Sequence, residues 1–160
     1  LPDGPGNAFG GRLVKQLFST RSARLQDREL VRSLLVRAEL PLDGVHDGFP
    51  DAYVVACVGE KIAGVAGLEQ FGSFGLLRSV AVDGGTRGQG VGRALVSECM
   101  ARARTLGLER VFLLTTTAPR YFEALGFVPA SREEAPDAMR ASPEFSGVCP
   151  SSAICMARRP

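Results

Sequence analysis

Hydrophobic positions along this chain of 160 residues follow two repeats, one typical of helices and one typical of strands. Residues 25–38 place apolar side chains on one face of an amphipathic helix, and Pro41 stops the pattern. Short apolar runs rich in valine and alanine at residues 52–58 and 62–69 predict two strands joined by a tight turn at Gly59. The pattern therefore predicts an α/β fold class.

The rest of the chain continues the same alternation. In order, we expect a first strand at 12–19, a loop at 42–50, a strand at 76–82 followed by a helix that ends at Gly107, a strand at 110–117, a short helix at 118–125, a strand starting at 127–130, one or two helical turns within 133–141, a loop at 142–151 and a last strand at 152–158. Residues 1–11 are rich in glycine and proline and are expected to be a disordered arm or an expression remnant. Residues 12–160 are expected to form a single domain.

Composition narrows the class of protein. The formal net charge of +2 gives no electrostatic case for a nucleic-acid partner. No apolar run approaches the roughly 20 residues that span a bilayer, and the first residues do not resemble a secretory signal, so no membrane partner is expected. The cysteines and the single histidine lack the spacing of a disulfide framework or a zinc site; they are Cys57, Cys99, Cys149, Cys155 and His46. We therefore expect a cytoplasmic protein with reduced thiols and no metal.

The central stretch is residues 76–95, LLRSVAVDGGTRGQGVGRAL, in which a strand enters a glycine-dotted turn and then a helix. The start of a helix presents unpaired N–H groups and the positive end of the helix dipole, and glycine lets a phosphate approach the backbone. A P-loop is excluded because the only lysines, Lys15 and Lys61, lie elsewhere. The dinucleotide fingerprint also fails at its last position. The stretch predicts a phosphate site of another kind.

Arg87, Gly90 and Gly92 match the pattern Arg-x-x-Gly-x-Gly directly after a strand, which resembles the acetyl-coenzyme A pyrophosphate loop of the GNAT N-acetyltransferases. Residues 121–127, YFEALGF, resemble the segment near the acetyl-donor thiol in that family. The resemblance covers roughly residues 12–159. It implies the GNAT fold, a mixed, mostly antiparallel sheet of about six to seven strands with helices on both faces. The segments LLRSVAV, LLTTTA and EFSGVCPSSAICM are also similar to a small bacterial subfamily of arsenic-resistance N-acetyltransferases.

The resemblance implies that acetyl-coenzyme A is the cosubstrate. The central strand would hold its pantetheine arm, and the glycine loop with its arginines would hold the pyrophosphate. The implied cofactor-binding residues are Val80, Ala81, Val82, Arg87, Gly88, Gln89, Gly90, Val91, Gly92, Arg93, Thr116 and Phe122.

The implied reaction is direct transfer of acetyl to the amine of a small, amino-acid-like molecule, for which an organoarsenical amino acid is one candidate. A protein or peptide N-acetyltransferase is one alternative. A non-catalytic coenzyme A-binding or arsenical-sensing module is another. A homodimer is a further expectation, because dimers are common in the superfamily.

The chain departs from the family at both usual catalytic positions. Phe122 occupies the position at which the family carries its general-acid tyrosine. Tyr121 lies one residue earlier, which is about 100° away around a helix. Leu76 occupies the position at the start of the central strand where many family members carry a glutamate as base. The carboxylate nearest to it in the sequence is Glu69. Tyr121 and Glu69 are therefore the catalytic candidates. The alternatives are water, another residue, or departure of the thiolate without a protein acid.

Arg78 interrupts the apolar central strand and needs a partner there. It could hold a substrate carboxylate, which with Glu69 makes up the candidate substrate site, or it could pair with Glu69 or Glu144 on the face of the sheet. Ser79 is expected on the opposite face, because side chains alternate along a strand.

Cys149 and Cys155 could bind an arsenical through soft thiolates. The alternation of the last strand instead favours Cys155 as a core residue.

Overall fold

The computed structural model describes residues 18–148 and 151–160, and within them the chain forms one seven-stranded sheet. The strands are β1 (Ser19–Ser22), β2 (Tyr53–Val58), β3 (Lys61–Phe71), β4 (Phe74–Val82), β5 (Arg110–Thr115), β6 (Val128–Pro129) and β7 (Ile154–Arg158). Their order across the sheet is β1-β2-β3-β4-β5-β7-β6. Every neighbouring pair is antiparallel except β4 and β5, which are parallel. The predicted mixed, mostly antiparallel sheet is confirmed.

Five α-helices lie within the same described residues: α1 (Arg28–Arg37), α2 (Val45–Gly48), α3 (Val91–Thr105), α4 (Pro119–Ala124) and α5 (Asp137–Arg140). Single 3₁₀ turns occur at Leu25–Asp27, Gly84–Thr86 and Arg132–Glu134. A π-helical turn covers Glu144–Val148. The amphipathic helix, the hairpin and the strand–turn–helix unit predicted from the sequence are all present.

Helices cover both faces of the sheet, as predicted. On one face α3 buries Leu95, Cys99 and Met100, which recur at helical spacing and pack with residues of β4 and β5. The other face is covered by α1 with α2 and by the segment that contains α5. Full burial of a leucine such as Leu95 contributes about 1.5–3 kcal/mol, so the packing of α3 fixes the position of its N-terminus firmly.

Three local predictions differ from the structure. The first described strand begins at Ser19, and residues 12–17 of the predicted strand lie outside the described residues, as do residues 1–11 and Cys149. The predicted loop at 42–50 contains α2, because Val45 is buried against α1. The predicted loop at 142–151 contains the π-helical turn, whose Phe145 is buried in the core.

The two parallel strands separate after a short paired section. Only Phe74–Leu76 of β4 pairs with Arg110–Phe112 of β5, yet β4 continues to Val82 and β5 to Thr115. The inner edges of both strands therefore carry backbone groups that do not pair with each other. This divergence opens a cleft at the carboxyl ends of the two strands.

Candidate active site

The cleft between β4 and β5 has a volume of about 900 Å³. Its walls come from the second half of β4, the end of β5, the starts of α3 and α4, the segment after α1 and Glu144. Predicted site residues that line it are Arg78, Val80, Ala81, Val82, Arg87, Gly88, Gly90, Val91, Gly92, Arg93, Thr116, Tyr121 and Phe122. Gln89 and Glu69 are outside this lining. The cleft thus brings most of the predicted residues together.

The glycine loop shapes one end of the cleft. Gly88 and Gly90 have φ angles of 81° and 83°, a left-handed conformation that favours glycine. No described side chain caps α3, and its first internal hydrogen bond runs from the Ala94 amide to the Gly90 carbonyl. A Cβ at Gly88 or Gly90 would meet nothing within 4 Å, so open space surrounds this turn. These features suit a bound anion such as the pyrophosphate of coenzyme A.

Asp83 fixes the entry to the glycine loop. Its carboxylate pairs with Lys61 of β3 at 3.0 Å and with Arg37 of α1 at 3.8 Å. Its backbone carbonyl accepts hydrogen bonds from the Thr86 amide and hydroxyl, both at 3.0 Å. The hydrogen bond from Lys61 lowers the pKa of Asp83, so the carboxylate is charged at neutral pH. The loop is therefore attached to the sheet at its first residue.

Two adjacent aromatic residues have different surroundings. Phe122 is 9% exposed and packs edge-to-face on Phe127, with ring centroids 6.0 Å apart. Tyr121 is 41% exposed, and a Cβ built on Gly92 would overlap its hydroxyl. Burial raises the pKa of Tyr121, while the charge of Arg93 opposes that rise. The tyrosine hydroxyl thus lies against the first turn of α3, and the phenylalanine belongs to the core.

Arg78 organises the other end of the cleft. Its side chain is 2% exposed, and its guanidinium pairs with Glu69 at 3.0 Å and with Glu144 at 3.3 Å. It also donates to the Asp43 carbonyl at 2.6 Å. Burial alone would lower the pKa of Arg78, but the neighbouring Glu144, Tyr53 and Glu69 raise it overall. Glu69 and Glu144, the two carboxylates that the sequence suggested as alternative partners of Arg78, therefore both pair with it.

The expected direction of Ser79 was wrong. Arg78 Nε donates to Ser79 Oγ at 3.2 Å, so the two side chains meet on one side. The cause is a β-bulge, in which Ser79 and Val80 stand opposite the single residue Ala66 of β3. Ser79 has φ 57°, a left-handed conformation that is uncommon for residues other than glycine. The serine itself gives no sequence signal for such a bulge.

A glycine in the segment after α1 lets that segment approach Arg78. Gly44 has φ 79°, and a Cβ there would lie 2.8 Å from Arg78 Nη1 and 3.8 Å from Pro143. Sequence reasoning did not identify Ser79 or the Asp43 carbonyl as site groups, and it considered Glu144 only as a partner for Arg78. Their positions follow from the bulge and from tertiary packing.

Residues 14–127 of the chain match the sequence model of the Acetyltransferase (GNAT) family. The chain belongs to the GNAT acetyltransferase family. Its divergent strands and uncapped, glycine-rich helix start are thus features of a GNAT domain.

Two similar proteins are amino-acid acetyltransferases. The one from Ralstonia nicotianae is 42% identical over 55 residues, which are 34% of this GNAT chain and 12% of that protein. The one from Mycobacterium tuberculosis is 32% identical over 115 residues, which are 71% of this chain and 60% of that protein. The chain therefore spans less than two thirds of the length of either curated relative.

Solved structures confirm the GNAT fold. The N-acetylglutamate synthase of Neisseria gonorrhoeae, complexed with coenzyme A and N-acetyl-glutamate, superposes with a TM-score of 0.78 at 23% identity, covering 89% of this chain and 35% of that one. Rv2747 of Mycobacterium tuberculosis, in complex with CoA, superposes with a TM-score of 0.72 at 26% identity, covering 89% and 99% of the two chains.

Within the described residues of this GNAT domain, no helix is long and apolar enough to cross a membrane. The same residues contain no group of three or more His, Cys, Asp and Glu side chains that could hold a metal ion.

Proposed function

We propose that this GNAT protein transfers the acetyl group of acetyl-coenzyme A to the amine of a small, amino-acid-like acceptor. One observation carries the proposal: a single cleft joins an uncapped, glycine-rich helix start to a buried cluster of charged side chains. The first end suits a diphosphate, and the second suits a charged acceptor. The similarity to two amino-acid acetyltransferases supports an acceptor of this class.

Acetyl-coenzyme A fits the donor end, which we define as residues 80–93. The amides of Gly88–Gly92 and the side chains of Arg87 and Arg93 would hold its pyrophosphate. The backbone of Val80–Val82 would pair with its pantetheine arm, near Thr116 and Phe122. The cosubstrate supplies an activated thioester, and this chain supplies the position and charge that the transfer needs.

The acceptor end, which we define as Glu69, Arg78, Ser79, Glu144 and the Asp43 carbonyl, receives the amine in this proposal. Arg78 binds a substrate carboxylate directly only if Glu69 or Glu144 moves away from its guanidinium. Glu69 lies outside the cleft lining, so its proposed role as base requires a bridging water. Tyr121 stays a candidate for the general acid, beside water, another residue or departure of the thiolate without a protein acid, and its hydroxyl lies beside Gly92.

A thiol-release assay over a panel of amines tests the proposal. Wild-type protein is incubated with acetyl-coenzyme A and free amino acids, an arsenic-bearing amino acid, or short peptides. We expect release of coenzyme A with free amino acids and none with peptides. Activity confined to peptides would favour a protein N-acetyltransferase. Tight coenzyme A binding without thiol release on any amine would favour a non-catalytic binding module.

The arsenic-bearing acceptor is the finer form of this proposal. Cys155 gives it no support, because burial raises the pKa of the Cys155 thiol and so disfavours the thiolate that binds arsenicals. A cytoplasmic location and a homodimer likewise stay predictions. The amine panel decides the arsenical question directly.

A further inference from the structure

We propose that Ser79 binds the carboxylate of the acceptor through its hydroxyl, and that Tyr53 is a positioning residue for Ser79. This inference rests on the proposed function and names the group that recognises an amino-acid acceptor. Ser79 donates its hydroxyl hydrogen to a carboxylate oxygen, while Arg78 keeps the partners it has in the structure. The support comes from the position and the hydrogen bonds of these three side chains.

The β-bulge brings Ser79 into the acceptor end of the cleft. A regular strand would direct Ser79 and Arg78 to opposite faces of the sheet. The bulge opposite Ala66 instead turns the Ser79 side chain to the side of Arg78, where Ser79 lines the cleft. Among the described residues, Ser79 and Glu39 are the two non-glycine residues with a left-handed φ, and both line this cleft. Such uncommon conformations cluster at ligand sites.

The Ser79 hydroxyl has a hydrogen to donate. A serine hydroxyl can donate one hydrogen bond and accept two. Ser79 Oγ accepts one from Arg78 Nε at 3.2 Å. Among the described residues, no group accepts a hydrogen bond of ordinary geometry from this hydroxyl, although Ser79 is only 9% exposed. Because a buried donor is costly unless it is paired, an oxygen that enters the cleft would stabilise the site.

Tyr53 of β2 places a second buried hydroxyl near Ser79. Tyr53 is fully buried, and its hydroxyl has no hydrogen-bond partner of ordinary geometry among the described residues. Burial raises the pKa of Tyr53, and the charge of Arg78 and the hydroxyl of Ser79 oppose that rise, so the three groups lie close together. The phenol is protonated near pH 7 and has a hydrogen to donate. Ser79 Oγ, which has a second acceptor position, is the acceptor that we assign to it.

A glycine on β3 lets the Tyr53 ring reach across to β4. Tyr53, Gly67 and Arg78 lie opposite one another on three neighbouring strands. A Cβ on Gly67 would lie 2.5 Å from Tyr53 Cε1 and 2.9 Å from Tyr53 Cζ, so the ring lies directly over this residue. Any side chain at position 67 would displace the ring. The bare strand at Gly67 therefore connects Tyr53 with the acceptor end.

Arg78 does not have to release its partners in this arrangement. Its Nη1 donates to Glu69 at 3.0 Å, and its Nη2 donates to the Asp43 carbonyl at 2.6 Å. Its Nε donates to Ser79 Oγ, and this charge-assisted hydrogen bond polarises the serine hydroxyl and strengthens its donation. Tyr53 donates to the same oxygen, and Ser79 donates to the acceptor. Each of the two hydroxyls then has an acceptor for its hydrogen.

The test compares two acceptors that differ only in the carboxylate. One is the amino acid that wild type acetylates best, and the other is the corresponding amine without the carboxyl group. The measured quantity is the carboxylate preference, which is the ratio of the two kcat/KM values. We expect Ser79→Ala to lower this preference at least ~10-fold, through a higher KM for the amino acid, because the donor is removed. The affinity for coenzyme A should stay unchanged.

Two further variants separate the hydroxyl from the backbone and from burial. Ser79→Gly removes the hydroxyl, but glycine adopts the left-handed conformation freely, so this variant should fold and should lose the same preference. Ser142→Ala is the matched control, because Ser142 is 8% exposed and lies outside the cleft lining, and its hydroxyl donates to the Met139 carbonyl. It should lower stability in urea unfolding and leave the preference unchanged.

Tyr53→Phe tests the positioning role. We expect it to lower the carboxylate preference by about 3–10-fold, because Ser79 stays in place but loses a hydrogen bond that orients it. The double variant with Ser79→Ala should lose no more preference than Ser79→Ala alone, since Tyr53 acts through the serine hydroxyl. A loss in the double variant that equals the product of the two single losses would refute the positioning role.

The remaining outcomes are distinct. If wild type acetylates no free amino acid, the proposed function fails and this inference fails with it. If wild type acetylates amino acids but acetylates the amine without the carboxyl group equally well, this inference alone fails. It also fails if Ser79→Gly keeps the wild-type preference, because the left-handed backbone and not the hydroxyl would then be required. Equal losses on both acceptors in the Ser79 variants would likewise refute carboxylate binding.

Discussion

The two ends of the cleft are built in different ways. The donor end comes from one continuous stretch, residues 80–93, and depends on backbone amides at the start of α3. The acceptor end comes from separate segments, with Asp43 after α1, Glu69 on β3, Arg78 and Ser79 on β4, and Glu144 in the π-helical turn. In the proposed function, the site for acetyl-coenzyme A is thus a local motif, while the site for the acceptor is assembled from segments that lie far apart in the chain.

The difference extends to how each end is coupled to folding. Arg87, Gly88 and Gly90 at the donor end are exposed, so changes there affect ligand binding more than stability. At the acceptor end, Arg78 and Glu144 are buried, so changes there affect both. This comparison yields three predictions, ordered from the largest expected effect to the smallest.

Arg78→Met should cause the largest loss of stability. The variant leaves Glu69 and Glu144 without their shared cation, and breaking a buried ion pair on one side costs about 3–5 kcal/mol. Urea unfolding measures the effect as a lower midpoint at an unchanged m-value. Coenzyme A affinity should change little at temperatures where the variant is folded, because the carboxylates that pair with Arg78, Glu69 and Glu144, lie outside residues 80–93.

The control for Arg78→Met is the triple variant that also carries Glu69→Gln and Glu144→Gln. Removing both carboxylate charges should recover part of the lost stability, because the charges no longer repel each other in a buried site. A triple variant that is less stable than Arg78→Met would show that packing, rather than charge, determines the loss. If Arg78→Met abolished coenzyme A binding while the protein stayed folded, the two ends of the cleft would not function independently.

Gly90→Val should abolish most of the coenzyme A affinity with little loss of the fold. Gly90 has a left-handed φ of 83°, which a β-branched residue rarely adopts, so the turn must rearrange where the phosphates bind. We expect a loss of at least ~100-fold, about 2.7 kcal/mol, in calorimetric titration. Gly84→Val is the matched control, because Gly84 lies in the same loop with open space around it and has no left-handed φ. Similar affinities for the two variants would contradict the assignment of the pyrophosphate loop.

The contrast between the two ends also explains what the sequence could predict. The strand, the glycine turn and the uncapped helix start of residues 80–93 were predicted from the sequence, since all three depend on neighbours in the chain. That these residues bind acetyl-coenzyme A stays a prediction. The sequence also predicted α1 and the hairpin of β2 and β3, whose apolar periodicities are local. Local periodicity together with turn chemistry is therefore sufficient for the fold class.

The acceptor end could be predicted only in part. Burial of a charge in an apolar strand correctly indicated that Arg78 needs carboxylate partners. The direction of Ser79 failed because strand alternation assumes a regular strand, and the bulge opposite Ala66 breaks it. Glu144 was considered only as a partner for Arg78, because its place in the cleft wall depends on how Phe145 packs in the core, which no local pattern records.

Tyr121→Phe should have the smallest effect of the three. The Tyr121 hydroxyl lies beside Gly92, at the donor end, and burial raises the pKa of this phenol further above neutral pH. We expect turnover to fall less than tenfold, about 1.4 kcal/mol, with acceptor affinity intact. Stopped-flow measurement of thiol release separates the chemical step from product release.

The neighbouring change Phe122→Tyr completes this test, because it moves a hydroxyl to the position at which the resemblance to the GNAT family implies the general acid. If protonation of the departing thiolate limits turnover, the added hydroxyl should raise the rate by up to about 10²–10⁴-fold, and otherwise the change should be near neutral. Because Phe122 packs on Phe127, the thermal unfolding of the Phe122→Tyr variant must be compared with that of wild type. A hundredfold drop in Tyr121→Phe, with both ligands still bound, would instead identify Tyr121 as the acid. The tyrosine beside Gly92 would then have to reach the departing thiolate, and the functional separation of the two ends would break down at this residue.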